Sequence, residues 1–320
     1  MENNEQNITP NKEQKEQNVE QNVQQSAKKS IPQIIFDSAI WTCILAYALI
    51  TIGQIIGGIF YLVSGAQNTD LGTTAGLYFS FAGIWLVLFL NGLIKRNRPL
   101  FKAYGTGCKG NNIVNLLIGY LIGFGMNAAM ILLAWLHGDI KLYFDKFELI
   151  PVIILFIAVF IQSAAEELVC RAFIYQRVLR TYKDKFWLAV VINSVFFAAI
   201  HLGNNGVSPM ALVDLAVTGL LFSAMVYYFD SLWMAMAAHA GWNFTQSILA
   251  GLPNSGNVLP YSIFKLDAAS AQNSFFYNVA FGVESTVPAI LIQLAFLAAI
   301  VVIGRKLGGK PTDIWADEAA

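Results

Sequence analysis

LIPVIILFIAVFIQSAAEELVCRAF, residues 149–173, is purely apolar for its first half and then, without the run ending, sets Gln162, Glu166, Glu167 and Arg171 among apolar neighbours. At about 1.5 Å rise per residue, a helix of this length crosses the roughly 30 Å hydrocarbon core of a bilayer. An ionisable side chain at the centre of such a helix costs about 2.5–3.5 kcal/mol on insertion scales, so each one needs a reason to be there. The segment therefore predicts a transmembrane helix that turns its polar residues toward a protein interior.

The rest of the chain fits that reading. Of 320 residues, 56% are hydrophobic and 12% charged, too apolar a balance for an ordinary soluble fold. Apolar runs recur at 34–63, 75–94, 113–136, 149–173, 186–201, 209–229, 232–249 and 287–303, which predicts an all-α, polytopic membrane bundle of about eight transmembrane helices spanning 34–305. With the N-terminus cytoplasmic, only Lys141, Lys146 and Lys265 fall in outer loops, whereas Lys95, Arg96, Arg98 and Arg177, Arg180, Lys183, Lys185 mark inner ones. Basic residues are held on the cytoplasmic side, so both termini are expected there, in the plasma membrane. Residues 1–33, rich in Gln, Asn, Glu and Lys, have too few apolar groups to offset ordering and are expected to be a disordered cytoplasmic tail; 306–320 form a second cytoplasmic tail. The basic residues sit where a membrane protein needs them, so no nucleic-acid partner is expected. Cys43, Cys108 and Cys170 fall in helices or an inner loop and are expected to be free thiols.

Ionisable residues inside the runs concentrate between 149 and 249. Glu167 and Arg171 stand four apart with the acid N-terminal, the favourable order for an ion pair on a helix. Glu166 lies about 100° around the helix from Glu167 and shares its face with Gln162. It is either a general base raised toward neutrality by burial or a carboxylate that hydrogen-bonds a neighbouring helix. His201 ends the 186–201 run, one turn beyond Phe197. His239 and Asn243 share one face of their helix, where an imidazole and a carboxamide could donate to one oxyanion or could simply join helices. Asp214 and Thr218 pair one turn apart with no assigned role. His137, the third histidine, sits at an outer helix end and is expected to take no part.

The motifs EExxxR (Glu166, Glu167, Arg171), FxxxH (Phe197, His201) and HxxxN (His239, Asn243), in that order, resemble the CPBP family, also called Abi, which contains the CAAX prenyl endopeptidase. The resemblance covers about 149–249 and implies a protease core there. It implies an intramembrane endopeptidase that hydrolyses a membrane-associated peptide or protein, approached from the cytoplasmic side. On that resemblance, water is activated by Glu166 with His201, the oxyanion is held by His239 and Asn243, and Glu167 and Arg171 support the site. Either glutamate could be the base. No cofactor is expected, although His201, His239 and Glu166 could form a zinc site with an open position. The alternative is a bacteriocin-immunity or membrane-binding protein of the same family that does not cleave.

Overall fold

The computed structural model describes residues 38–183 and 185–316. Its helices, in chain order, are α1 (Ala39–Ser64), α2 (Asp70–Phe79), α3 (Ala82–Leu93), α4 (Leu100–Tyr104), α5 (Ile113–His137), α6 (Leu149–Glu167), α7 (Tyr175–Thr181), α8 (Phe186–Ala199), α9 (Pro209–Phe229), α10 (Leu232–Asn243) and α11 (Val287–Lys306). One small antiparallel ribbon, β1 (Leu142–Phe144) with β2 (Phe264–Leu266), joins two loops. The predicted tail 1–33 lies outside the described residues, as do 317–320.

Side-chain caps start most of the long helices. Ser38, Thr69, Asn112, Ser208, Ser231 and Thr286 each accept a backbone N–H from the first turn of the helix they precede. These caps satisfy donors that the helix itself leaves open. Pro209 fits the first turn of α9 because its missing N–H is not needed there.

Among the described residues, six stretches are long and apolar enough to cross a membrane: α1, α2 with α3, α5, α6 through α7, α9 and α11. Their outward faces carry large apolar side chains, such as Ile40, Phe60 and Val63 at 76%, 72% and 82% exposure. Exposed apolar surface on this scale requires lipid around it. The chain is thus a helical bundle of an integral membrane protein. The expected eight spans are not eight long helices. The run at 186–201 is helical only to Ala199, and that at 232–249 divides into α10 and a π-helical segment, Phe244–Leu249. The second run is broken between Phe79 and Ala82, and the fourth continues through a π-helical segment, Leu168–Ile174, as far as Thr181.

The two ends of the bundle are tied separately. At one, Asp230 accepts from the Lys109 and Thr312 backbones, Arg177 donates to Asn97, and Trp315 donates to the Gln176 carbonyl. Part of the segment expected as a C-terminal tail thus packs on the bundle. At the other end, Tyr261 donates to Glu148, Lys265 pairs with Asp145, and Asn204 donates to the Ser255 carbonyl.

Glycine sets the position of α10. A Cβ at Gly123 of α5 would lie 1.8 Å from the Ala238 carbonyl oxygen, and one at Gly119 2.2 Å from that of Met234. No other residue allows this approach, and small residues four apart are the usual means of bringing membrane helices together. The face of α10 that α5 grips is adjacent to the one that carries His239 and Asn243.

Candidate active site

The six singled-out residues separate into two layers. Glu166, His201, His239 and Asn243 all line one cavity of about 890 Å³, whereas Glu167 and Arg171 do not. Glu166 is partly open to it, while Glu167 and Arg171 are completely buried.

The inner layer is an ion pair. Arg171 Nη1 donates to Glu167 Oε1 at 3.0 Å, and its guanidinium lies 4.5 Å from the Phe197 ring and 5.4 Å from the Phe222 ring. The same Glu167 oxygen lies 3.0 Å from His239 Nδ1. Glu167 is therefore committed to an arginine and to the orientation of a histidine. Phe197 also packs edge-on against His239 and beside His201, with ring centroids 5.8 and 4.9 Å away. That accounts physically for an aromatic residue four positions before His201.

The outer layer faces the cavity. His239 directs Nε2 toward Glu166, 3.8 Å from Oε2. The other Glu166 oxygen accepts from Gln162 Nε2 at 2.7 Å. Gln162 Oε1 in turn accepts from Asn243 Nδ2 at 3.0 Å, and Asn243 also donates to Ser163. Gln162 thus links the carboxylate to the carboxamide. Glu166 Oε2 has no hydrogen-bond partner among the described residues, so one carboxylate oxygen is fixed and the other is left to receive a proton. His201, in the turn after α8, lies with Nδ1 2.7 Å from the Phe197 carbonyl oxygen. A carbonyl only accepts, so Nδ1 carries the proton, and Nε2 is the unprotonated nitrogen of the neutral ring.

Counting residues along the helices puts His201 several ångströms deeper than Glu166 and His239. His201 nonetheless lines the same cavity, from the turn that follows α8 at Ala199.

A second pocket of about 30 Å³, enough for a water molecule, lies behind the histidines and touches Asp214, Trp242 and Glu284 as well as His201, His239 and Asn243. Glu284 belongs to the 250–286 loop, where the sequence offered no candidate. Its carboxylate accepts from Trp242 Nε1 at 2.8 Å and from the Ser255 backbone at 2.7 Å, and burial pushes its pKa up. Other polar residues in the spans act as joints. Asp214 binds Gln293 and the Ser285 N–H, Gln246 binds Asn127, and Asn193 accepts from Ser223. His137 contacts Asp139 at 2.9 Å and lines neither pocket. Cys43, Cys108 and Cys170 are free.

A membrane bundle that brings one carboxylate, two histidines and a carboxamide to one cavity, with a second carboxylate buried behind them, has the groups that an intramembrane hydrolase would need. The particular family follows from comparison: residues 148–245 match the family described as type II CAAX prenyl endopeptidase Rce1-like, the CAAX-protease group that the three motifs resemble. Over that segment the chain is similar, at family level, to CAAX-protease-type intramembrane peptidases. No curated protein and no solved structure matches the chain.

Proposed function

We propose that the chain is an endopeptidase that hydrolyses a peptide bond of a membrane-associated polypeptide with water activated by Glu166. The observation that carries this reading is the unpartnered Oε2 of Glu166 among the described residues, held by Gln162 at its other oxygen and facing His239, in the cavity that His201 and Asn243 also line.

In this mechanism a water molecule between Glu166 Oε2 and His201 Nε2 gives its proton to the carboxylate as its oxygen attacks the peptide carbonyl carbon. The carbonyl π pair moves to oxygen. His239 Nε2 and Asn243 Nδ2 are the donors to that oxyanion, Asn243 by exchanging its bond to Ser163 or Gln162 for one to the substrate. His239 can donate from Nε2 while Nδ1 is bonded to Glu167 only as an imidazolium, a cation that the carboxylates at 3.0 and 3.8 Å would flank. Collapse of the tetrahedral intermediate breaks the C–N bond, and the proton on Glu166 passes to the leaving amine nitrogen. Glu167 and Arg171 are positioning residues: Glu167 holds the orientation and balances the charge of His239, Arg171 holds Glu167, and neither touches a reacting atom.

The reading assigns no metal. If His201 and His239 were both zinc ligands with Glu166, Asn243 would be the one remaining oxyanion donor of the set, and Glu167, bonded to Arg171 and His239, would be poorly placed as base. The test is proteolysis by the reconstituted full chain. Glu166→Gln should abolish cleavage at unchanged membrane level and retain substrate for identification in native membranes. Undiminished cleavage would remove Glu166 from the role of base.

A further inference from the structure

The cavity wall is built from the middle of several helices and from loops at one end of the bundle only. Apart from the helices and the Ser80–Phe81 break, its lining comes from the loops 200–208 and 250–286, among them His201, Asn204, Asn254, Ser255, Asn257 and Val258. None of its lining residues comes from 94–112, 176–185 or 307–316 at the opposite end. The mouth is built. Asn204 donates to the Ser255 carbonyl at 2.9 Å, Asn254 donates to Ser247 at 3.0 Å, and the Ser255 backbone N–H is held by Glu284. Gly256, at φ +85°, lies so close to the chain at Asn205 that a Cβ would meet its carbonyl oxygen at 2.0 Å. The turn is thereby pinned beside the opening, and Glu284 connects it through Trp242 to the neighbour of Asn243.

The two ends differ sharply in charge. The end away from the mouth carries Lys95, Arg96 and Arg98 in one loop, Arg177 and Arg180 in the next, and Arg305 and Lys306 at the last helix. The mouth end has Lys141, Lys146 and Lys265, set among Asp139, Asp145, Glu148 and Asp267. Loops rich in lysine and arginine stay in the cytoplasm. We infer that the cavity opens to the outer, non-cytoplasmic side of the membrane, and that its substrate is a polypeptide segment exposed there, belonging to an exported or membrane-anchored protein. This reverses the cytoplasmic approach expected from the sequence, and its statement about substrate rests on the peptidase reading above. The lining also bears on the segment's chemistry. Glu166 is the one carboxylate in the wall and no lysine or arginine joins it among the described residues, while the rest of the lining mixes amides and hydroxyls with apolar residues of α1, α2 and α3. An uncharged stretch fits such a wall, and an acidic one would meet Glu166 without a compensating cation.

Orientation is tested without reading cleavage. Asn257→Cys and Val258→Cys, both exposed at the mouth, and Arg98→Cys and Lys310→Cys, exposed at the opposite end, are made separately in the full chain. Intact cells are treated with a membrane-impermeant maleimide, and the wild-type chain, with its one half-buried and two buried cysteines, gives the background. The mouth variants should label on intact cells as fully as after permeabilisation and at least about ten-fold above background, and the other two only after permeabilisation. Two mouth positions guard against one variant misfolding. Labelling of the mouth variants only after permeabilisation, or of Arg98→Cys or Lys310→Cys on intact cells, overturns the inference. Such a result with cleavage intact leaves a peptidase that works from the cytoplasm. Outward labelling with Glu166→Gln fully active leaves the orientation standing and removes the proposed mechanism.

Discussion

Replacing Arg171 by methionine removes the cation of a pair in which both members are fully buried, 3.0 Å apart. The Glu167 carboxylate would then keep His239 as its only charged partner. Loss of one member of a buried pair costs about 3–5 kcal/mol, because the remaining charge keeps its desolvation penalty and loses its compensation. Glu167→Gln should cost a similar amount from the other side. Arg171 Nε and Nη2 already lack hydrogen-bond partners among the described residues, and the guanidinium would be left with aromatic rings and one amide oxygen. In the double variant neither charge remains, and Met and Gln occupy nearly the same volume. Its cost should fall to about 1–2 kcal/mol, a coupling of about 4 kcal/mol or more between the two sites. In thermal unfolding of the purified chain in one detergent, each single variant should melt about 10 °C low and the double variant within about 5 °C of wild type. Proteolysis separates the two roles of Glu167. It should stay low in the stable double variant, because a glutamine amide at that position can still accept from His239 Nδ1 but brings no negative charge to balance an imidazolium. Stability losses that add to within about 0.5 kcal/mol would refute the pairing argument. Full activity in the double variant would refute the role given to Glu167.

Glu166 and His239 should act as a unit: the Glu166→Gln, His239→Ala double variant should cleave little more slowly than the worse single one, measured at equal membrane levels. Gly123→Ala should lower stability by about 1–3 kcal/mol and depress turnover by displacing α10 from α5. Gly125→Ala, two residues along the same helix with open space around it, should be neutral or slightly stabilising in the same melt. Gln162→Leu, which removes the link between Glu166 and Asn243, should reduce kcat more than it raises KM, read from initial rates across substrate concentration. Activity should survive prolonged treatment with a strong chelator; stoichiometric zinc in elemental analysis, with activity lost on its removal and restored on its return, would reassign His201, His239 and Glu166 as ligands.

What the sequence determined by itself was whatever a bilayer makes one-dimensional. Length of apolar run, placement of basic residues and the cost of a buried charge are each local quantities, and they sufficed to read a helical membrane bundle and to gather the polar residues of 149–249 as candidates; it was the resemblance of the three motifs that picked Glu166, His201, His239 and Asn243 from among them. The i,i+4 pairing of Glu167 with Arg171, and the different direction of Glu166, were likewise legible, since both follow from 3.6 residues per turn. The count of long spans was not, because α8 stops short and the fourth and seventh runs pass into π-helical segments that leave no period in the sequence. Tertiary structure alone separated the two glutamates: one rotation of α6 gives Glu167 to Arg171 and His239 and leaves Glu166 at the cavity, and packing sets that rotation. It also decided the part played by the 250–286 loop. Glu284 meets Trp242 across 42 residues of chain, a contact that no periodicity announces. Which loops border the cavity was decided in the same way, since 200–208 and 250–286 are near in space and distant in sequence.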